Sequence, residues 1–427
     1  MIKEVILKQV IMEQRELIKP SSGYLERELL SSVSHLAKLK HIIVITGHRR
    51  AGKSVFLSQI IHKFYGIDNI YYLNLDDERL TSLSIEDMND VMEVFISLFG
   101  KRRVIFLDEI QNLEGWERFV SRLYNEGYKI YLTGSNAKLL SSELSTLLTG
   151  RYMEIEIYPF SFREFLQFNK IEVEERDLYK TEVRVKIKKL FDKYLMLGGF
   201  PEVVQYKEMS VLRTLFSDVI TKDVVERYKV KEAKTIKEIA LFLISNAANE
   251  FSYNRIKNIY EMGSVHTVKN YVEYLISTYM FFELPRFSHS LKEVHTKIKK
   301  IYIVDNGLIE SVGFSSTMDI GRLYENLVFD ELKRKEKDIY YYRDRAGKEV
   351  DFVVRKGRRV SECIQVCSNS EEESTLKREI DGLLKGMNEF RLEIGVIITG
   401  KREDKIEISG KKIKFIPLWR WLLSDEK

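Results

Sequence analysis

The sequence predicts an α/β protein whose amino-terminal part is a doubly wound parallel sheet. Three observations carry that expectation. Apolar, β-branched runs recur at Ile42–Ile45, Ile70–Leu75, Val104–Leu107 and Lys129–Thr133, the mark of strands buried on both faces. Stretches with helical spacing lie between them, notably Ser54–Ile61 and Trp116–Asn125. The later runs close on polar groups, Asp76-Asp77, Asp108-Glu109 and Gly134-Ser135-Asn136. In open α/β sheets, ligands gather at those carboxyl ends.

Between the first run and the first helix stands Gly47-His48-Arg49-Arg50-Ala51-Gly52-Lys53-Ser54, followed by Val55. It fits the P-loop pattern G-x-x-x-x-G-K-[ST], in the strand–loop–helix context that makes a phosphate site. Gly47 and Gly52 permit backbone angles that a Cβ forbids. Successive amides then turn inward, and the helix start adds partial positive charge. Lys53 is expected on the terminal phosphates, and Ser54 on Mg²⁺. Arg49 and Arg50 are expected to anchor phosphates or a neighbour's surface. The guanine-reading N-K-x-D motif is absent from the sequence, so ATP is the expected nucleotide.

Asp108, closing an apolar strand, fits the second magnesium-binding position. Glu109 after it is placed to polarise a water aimed at the γ-phosphate. Ser135 or Asn136, after the next strand, suits a hydrogen bond to the γ-phosphate or that water, or simply forms a turn. Arg151 follows the helix-like stretch Lys138–Leu148 and Thr149-Gly150. It reads either as a finger reaching another subunit's γ-phosphate or as a solvated arginine after a glycine cap.

These residues carry a family resemblance. Phe106-Leu107-Asp108-Glu109-Ile110-Gln111, Gly115-Trp116, Thr133-Gly134-Ser135-Asn136, Gly150-Arg151 and Pro159-Phe160-Ser161-Phe162-Arg163-Glu164-Phe165 resemble the archaeal and bacterial AAA+ ATPases of the MNS/STAND branch. The likeness extends through Gly198-Gly199-Phe200-Pro201-Glu202 and more weakly to the carboxyl terminus. It implies a winged helix and a nuclease-like domain after the P-loop domain. It also implies homo-oligomeric rings, hexamers by analogy, with nucleotide between subunits and Arg151 acting in trans.

The expected division is a P-loop ATPase domain over 1–165, a helical lid over 166–232, a winged helix over 233–304 and a nuclease-like domain over 305–427. In the lid, Gly198-Gly199-Phe200-Pro201 breaks a charged helical pattern as a tight turn. Arg213 and Lys222 there are cations that the sequence does not separate from surface charge. In the third part, Ile236–Asn249 and Val265–Thr278 read as helices around a short helix begun by Ser252. His266, Thr267, Lys269, Asn270 and Tyr274 face outward, a set that suits a recognition helix on DNA. Lys292, Lys297, Lys299 and Lys300 add charge to a wing. The DNA-binding set is therefore His266, Lys269, Asn270, Lys297 and Lys299. A protein–protein module is the other reading.

The last part reads as a helix over Gly321–Lys337, three strands (Ile339–Arg343, Glu349–Arg355, Val360–Cys367), a helix over Thr375–Met387, then strands Glu393–Thr399 and Lys411–Pro417. That order resembles the PD-(D/E)XK nuclease core. Its chemistry needs carboxylates around Mg²⁺ and a lysine. Asp351 matches the first acid and Glu325 the helix acid. Gln365 stands at the second acid position and Cys367 at the lysine position, so Lys377 is the candidate for a migrated lysine. The basic turn Arg355-Lys356-Gly357-Arg358-Arg359 suits a phosphate backbone, or keeps an exposed hairpin soluble.

At 427 residues and net charge +5, the chain is long enough for several cores, and its basic excess is too small to demonstrate a nucleic-acid partner. Its two cysteines, Cys363 and Cys367, are too few for a zinc site or a disulfide scaffold. No apolar run is long enough to span a bilayer, so a soluble, cytoplasmic protein without a membrane partner is expected. The functional expectation is an ATP- and Mg²⁺-dependent ATPase acting on DNA. Its competitor is a STAND-like switch in which nucleotide sets assembly with protein partners.

Overall fold

The computed structural model describes residues 3–18, 23–136, 148–314 and 319–424. Most of the helix-like stretch expected over Lys138–Leu148 lies outside them. The chain divides into two compact units, Met1–Tyr158 with Ser277–Tyr279, and Pro159–Ile276 with Met280–Lys427.

The first unit is built on an all-parallel sheet of β1 (Ile42–Gly47), β2 (Ile70–Asn74), β3 (Val104–Asp108), β4 (Lys129–Thr133) and β5 (Tyr152–Ile157), in the order β2-β3-β4-β1-β5. Successive side chains of a strand point to opposite faces, and each face has its own core. Ile42 and Val44 pack with α1 (Glu4–Leu17), α4 (Met88–Phe99) and α5 (Trp116–Asn125). Ile43 and Ile45 pack with α2 (Leu30–Leu36) and α3 (Lys53–Ile60). Four strands follow the sequence expectation. The fifth, β5, was not among them, because Tyr-Met-Glu-Ile-Glu-Ile alternates polar and apolar residues instead of forming an apolar run. That alternation is what an edge strand needs.

β4 lies between β1 and β3, so the P-loop and the Asp108-Glu109 pair sit two strands apart at one edge of the sheet. Gly47 has φ +129°, and a Cβ there would stand 2.1 Å from the Ile157 carbonyl oxygen. Glycine at this position lets β5 close on the loop.

The second unit opens with α6 (Phe162–Phe168), capped reciprocally by Ser161 and Glu164, which is a capping box. α7 (Thr181–Leu197), α8 (Pro201–Tyr206) and α9 (Ser210–Asp218) follow. The stretch expected as a nucleotide lid groups with this unit. Gly199 donates its amide to Asp305 Oδ2 at 2.6 Å and accepts from the Phe160 amide at 2.7 Å. Cβ atoms at Gly198 and Gly199 would meet the Asp305 carboxylate at 1.9 Å and the Phe160 carbonyl at 2.2 Å. The Gly-Gly-Phe-Pro turn is thus a packing joint. Arg213 is held by the Ser311 carbonyl at 2.7 Å.

α10 (Ala233–Ser245), β6 (Glu250–Phe251), α11 (Tyr253–Ile259), α12 (Val265–Ile276), β7 (Phe281–Leu284), α13 (Leu291–Thr296) and β8 (Lys299–Ile303) come next, the strands forming an antiparallel sheet β6-β8-β7. After α14 (Asn306–Val312) and α15 (Ile320–Arg334), a six-stranded sheet runs β13-β14-β12-β11-β10-β9. Its strands are β9 (Asp338–Arg343), β10 (Glu349–Lys356), β11 (Arg359–Cys367), β12 (Ile394–Thr399), β13 (Asp404–Ile408) and β14 (Lys411–Pro417). β9, β10 and β11 pair antiparallel; α16 (Glu373–Glu389) then crosses over to β12, parallel to β11. Gly382 and Gly386 of α16 let it lie against Glu349 and Val350. The edge strand β13 is an addition to the expected order. Cys363 and Cys367 are buried and unbonded on β11.

Candidate functional site

The P-loop runs from the end of β1 into α3. Gly52 takes φ +100° and Arg50 φ +63°, conformations that turn amides into the loop. Lys53 is 4% exposed, and its ammonium donates to the Gly47 and His48 carbonyls, each at 3.2 Å. It lies 3.9 Å from Glu109. His48 is fully buried, and burial lowers its imidazole to about 3. The ring is therefore neutral and adds no charge to the loop. Arg27 braces the loop from outside, donating to the Ala51 carbonyl at 3.0 Å and the Tyr158 carbonyl at 2.7 Å.

Asp108 is fully buried at the end of β3. Burial and the adjacent Glu109 charge push its carboxyl up, while hydrogen bonds from Thr133 and Ser54 and the charge of Lys53 hold it down. Tyr72 donates to its second oxygen at 3.2 Å. Ser54, at the start of α3, thus lies close enough to Asp108 to hold its carboxyl down, and a hydroxyl beside a carboxylate is a donor set that would suit a divalent cation.

Glu109 is held in the left-handed region, φ +52° and ψ +49°, a strained backbone for a glutamate. Its amide donates to Thr133 Oγ1 at 2.9 Å. Its carboxylate accepts from Gln111 at 2.5 Å and from Ser135 at 3.4 Å. Asn136 is buried just beyond β4. Lys53, Ser54, Asp108, Glu109 and Ser135 therefore converge on one site.

Arg151 stands apart from it. Its carbonyl accepts the Ile42 amide at 2.9 Å, and β5 runs in register with β1 from Ile42↔Tyr152 to Gly47↔Ile157. The arginine is thus at the amino-terminal edge of the sheet, roughly 20 Å from the loop at a strand's rise per residue. Its guanidinium lies 3.4 Å from Asn125 Oδ1 and 5.5 Å over the Tyr124 ring.

In the second unit the acids meet an unexpected cation. Lys300 of β8, expected to add charge to a wing, is 4% exposed. Its Nζ lies 2.7 Å from Glu325, 2.7 Å from Glu349 and 3.4 Å from Asp351. Burial alone would lower this ammonium, but Glu325, Asp351 and Glu349 raise it well above the usual lysine range. Lys377 does not supply the charge. It is exposed on α16, and Glu379, roughly 200° around the helix, is the side chain that meets Gln365, at 2.5 Å. Nor does Gln365 point its oxygen at the acids, since that oxygen accepts the Asp351 amide at 3.2 Å.

The expected DNA-reading cations are also engaged. Lys297 pairs with Glu293 at 2.5 Å, Lys299 with Glu283, and Lys269 with Glu273 at 3.8 Å. Side chains four apart on one helix face meet naturally, and the carboxylate partners dilute the expected basic stripe. His266 is exposed on α12, with Asn270 Nδ2 at 3.3 Å from its ring.

A protein of Methanocaldococcus jannaschii, named only as uncharacterized, is 33% identical over 99% of this chain and 96% of its own length. The chain belongs to the family of that archaeal protein. A Haemophilus influenzae protein, likewise named as uncharacterized, is 32% identical over 88% of the chain and 94% of its own length. Residues 39–166 match the family model described as an AAA domain. Residues 188–318 and 320–421 match two domains of unknown function, DUF8612 and DUF4143. Among solved structures, the STAND signal-transduction ATPase with a tetratricopeptide repeat sensor from Pyrococcus horikoshii is similar over 73% of this chain, at 17% identity and a TM-score of 0.28. The chain spans 46% of that structure's length.

The first unit therefore carries an AAA-type ATPase domain. Three of its site residues escaped the sequence reading. Thr133 appeared only as the last strand residue before Gly-Ser-Asn, Gln111 only within a motif string, and Tyr72 as one more apolar strand position. A polar Thr closing an apolar strand beside the acidic one was the available signal for the first. Nothing in the pattern marked Tyr72. No helix among the described residues is long and apolar enough to cross a membrane.

Proposed function

We propose that this chain binds and hydrolyses ATP with Mg²⁺ at a site completed by a second copy. The observation that carries the reading is the assembled set of Lys53, Ser54, Asp108 and Glu109, with Ser54 beside the Asp108 carboxyl and Lys53 3.9 Å from Glu109. Ser54 and Asp108 would hold the cation, which neutralises phosphate charge when bound. Loop amides and Lys53 bind the phosphates. Glu109, oriented by Gln111 and Thr133, accepts a proton from the attacking water. Arg151 is too far along the sheet to serve its own loop, and supplies positive charge to a neighbour's γ-phosphate.

The test is turnover of ATP by the full chain. Glu109→Gln is expected to lower it about 100-fold or more while ATP stays bound. Unchanged turnover would remove Glu109 from the mechanism. Absence of any adenine-nucleotide affinity in the intact protein would remove the reading itself.

For the second unit the reading is a winged helix, α10–β6–α11–α12–β7–β8, followed by a nuclease-like fold. The helix–three strands–helix–strand order of α15 to β12 supports the latter. The paired lysines of α12 and the wing favour the switch, in which nucleotide-dependent assembly recruits protein partners. One observation favours DNA: Lys356, Arg358 and Arg359 are exposed together at the β10–β11 hairpin tip. Turnover stimulated by DNA, and weakened by salt and by substitution of that tip, supports a nucleic-acid role. Turnover indifferent to DNA supports the switch.

A further inference from the structure

The resemblance to a nuclease core implies a divalent cation among Glu325, Asp351 and the residue at position 365. The donor set there does not fit such a cation. Five carboxylate oxygens and one amide oxygen of these residues are already engaged. Asp351 Oδ2 accepts the Val366 amide at 2.9 Å. Glu349 Oε2 accepts from Arg343. Gln365 Oε1 accepts the Asp351 amide. Glu325 Oε1 also accepts from Tyr302 at 2.6 Å. What each acid turns inward (Glu325 Oε1, Glu349 Oε1 and Asp351 Oδ1) meets Lys300 Nζ. An ammonium has three hydrogens, and three carboxylates surround this one. Among the described residues, no group of three or more His, Cys, Asp or Glu is disposed to hold a metal.

We propose that Lys300 is a built-in counter-ion occupying the cation position of the nuclease-like centre, so that this unit holds no divalent metal there and cuts no phosphodiester. The lysine arrives on β8, from a different sheet than Glu349 and Asp351 on β10, and it is buried with Asp351 while Glu325 and Glu349 are half-buried. Removing one partner of such a cluster leaves carboxylates facing one another without compensation. A divalent cation then restores the balance, because oxygen ligands converge where the ammonium stood. The alternative use of the same lysine is catalytic: it would stabilise the attacking hydroxide beside a bound metal, and the wild-type protein would then bind metal and cut.

The experiment uses the full chain without nucleotide, and dependence on Glu325 distinguishes the centre from any Mn²⁺ held beside the P-loop. Mn²⁺ binding is followed by electron paramagnetic resonance and by thermal shift for the wild type, Lys300→Ala, Lys300→Met, Glu325→Gln and Lys300→Ala/Glu325→Gln. The expected result is no Mn²⁺ signal in the wild type that Glu325→Gln alters. In Lys300→Ala, one Mn²⁺ is expected to bind at least about tenfold more tightly than in the wild type, to raise the melting temperature, and to be lost again on adding Glu325→Gln. Wild-type Mn²⁺ binding that depends on Glu325, or Mg²⁺-dependent DNA cleavage by the wild type that Lys300→Met abolishes, overturns the proposal. So does a folded Lys300→Ala that gains no metal. If neither lysine variant folds, the comparison of wild type with Glu325→Gln still decides whether the native centre takes a metal.

Discussion

The hydroxyl of Thr133 donates to Asp108 and accepts the Glu109 amide, so Thr133→Val removes two bonds at once from adjacent acids. Misplacing a catalytic group by about 1 Å costs on the order of 100-fold. Thr133→Val is expected to lower ATP turnover by 10- to 100-fold, roughly, while Thr133→Ser keeps most of it; equal rates for the two variants would make the hydroxyl irrelevant. His48 gives a pH prediction. Its folded value, about 3, lies below its ordinary value of 6.5. Below pH 6.5 the unfolded chain takes up a proton that the folded loop excludes, so stability is full above 6.5 and falls as pH drops toward 3. Urea melts at pH 7.5 and 5.5 should show this loss of stability in the wild type and a smaller one in His48→Asn. At this scale the sequence displayed the glycines, Lys53, Ser54, Asp108 and Glu109 because the chemistry constrains their spacing along the chain. It could not display Tyr72 or Lys300, whose roles depend on which strands become neighbours.

At the scale of elements, buried parallel strands were legible because their apolar runs are continuous, and helices because Trp116–Asn125 and Val265–Ile276 keep a clean apolar face. The edge strands β5 and β13 were not: both alternate charged with apolar residues, and local composition does not separate them from loops. The joint at Asp305 was hidden for another reason, since its partners Gly199 and Gly307 are distant or adjacent in sequence without a pattern linking them. Gly199→Ala would place a methyl 2.2 Å from the Phe160 carbonyl, closer than atoms can approach. The substitution is expected to destabilise the second unit by about 2 kcal/mol or more and to lower its melting temperature, leaving nucleotide affinity of the first unit nearly unchanged. A melting temperature equal to the wild type's would show that the joint relaxes.

The whole molecule raises the question of how its sites communicate across copies. On the proposed trans role of Arg151, which lies at the far edge of the sheet from its own loop, turnover would be a property of the assembly. Specific activity should therefore rise with protein concentration. Arg151→Ala and Glu109→Gln should each be nearly inactive alone. Mixed in equal amounts they should recover about a quarter of the wild-type rate, because one interface in four joins an intact acid to an intact arginine. No recovery in a mixed assembly would rule out a trans role for Arg151. The sequence sets the first break at 165, where the motif string ends and close to the end of the AAA domain match at 166; the first compact unit comprises Met1–Tyr158 and Ser277–Tyr279.

Arg27 lies twelve residues upstream of position 39, where the recognisable domain begins, yet it ties the loop carbonyl of Ala51 to that of Tyr158. A fragment cut at the conserved border would keep every motif residue and lose the clasp that shapes them. Excising the catalytic piece by homology alone is thus a route to a well-expressed protein with a slack phosphate cradle, and its weak nucleotide binding would be misread as a property of the family.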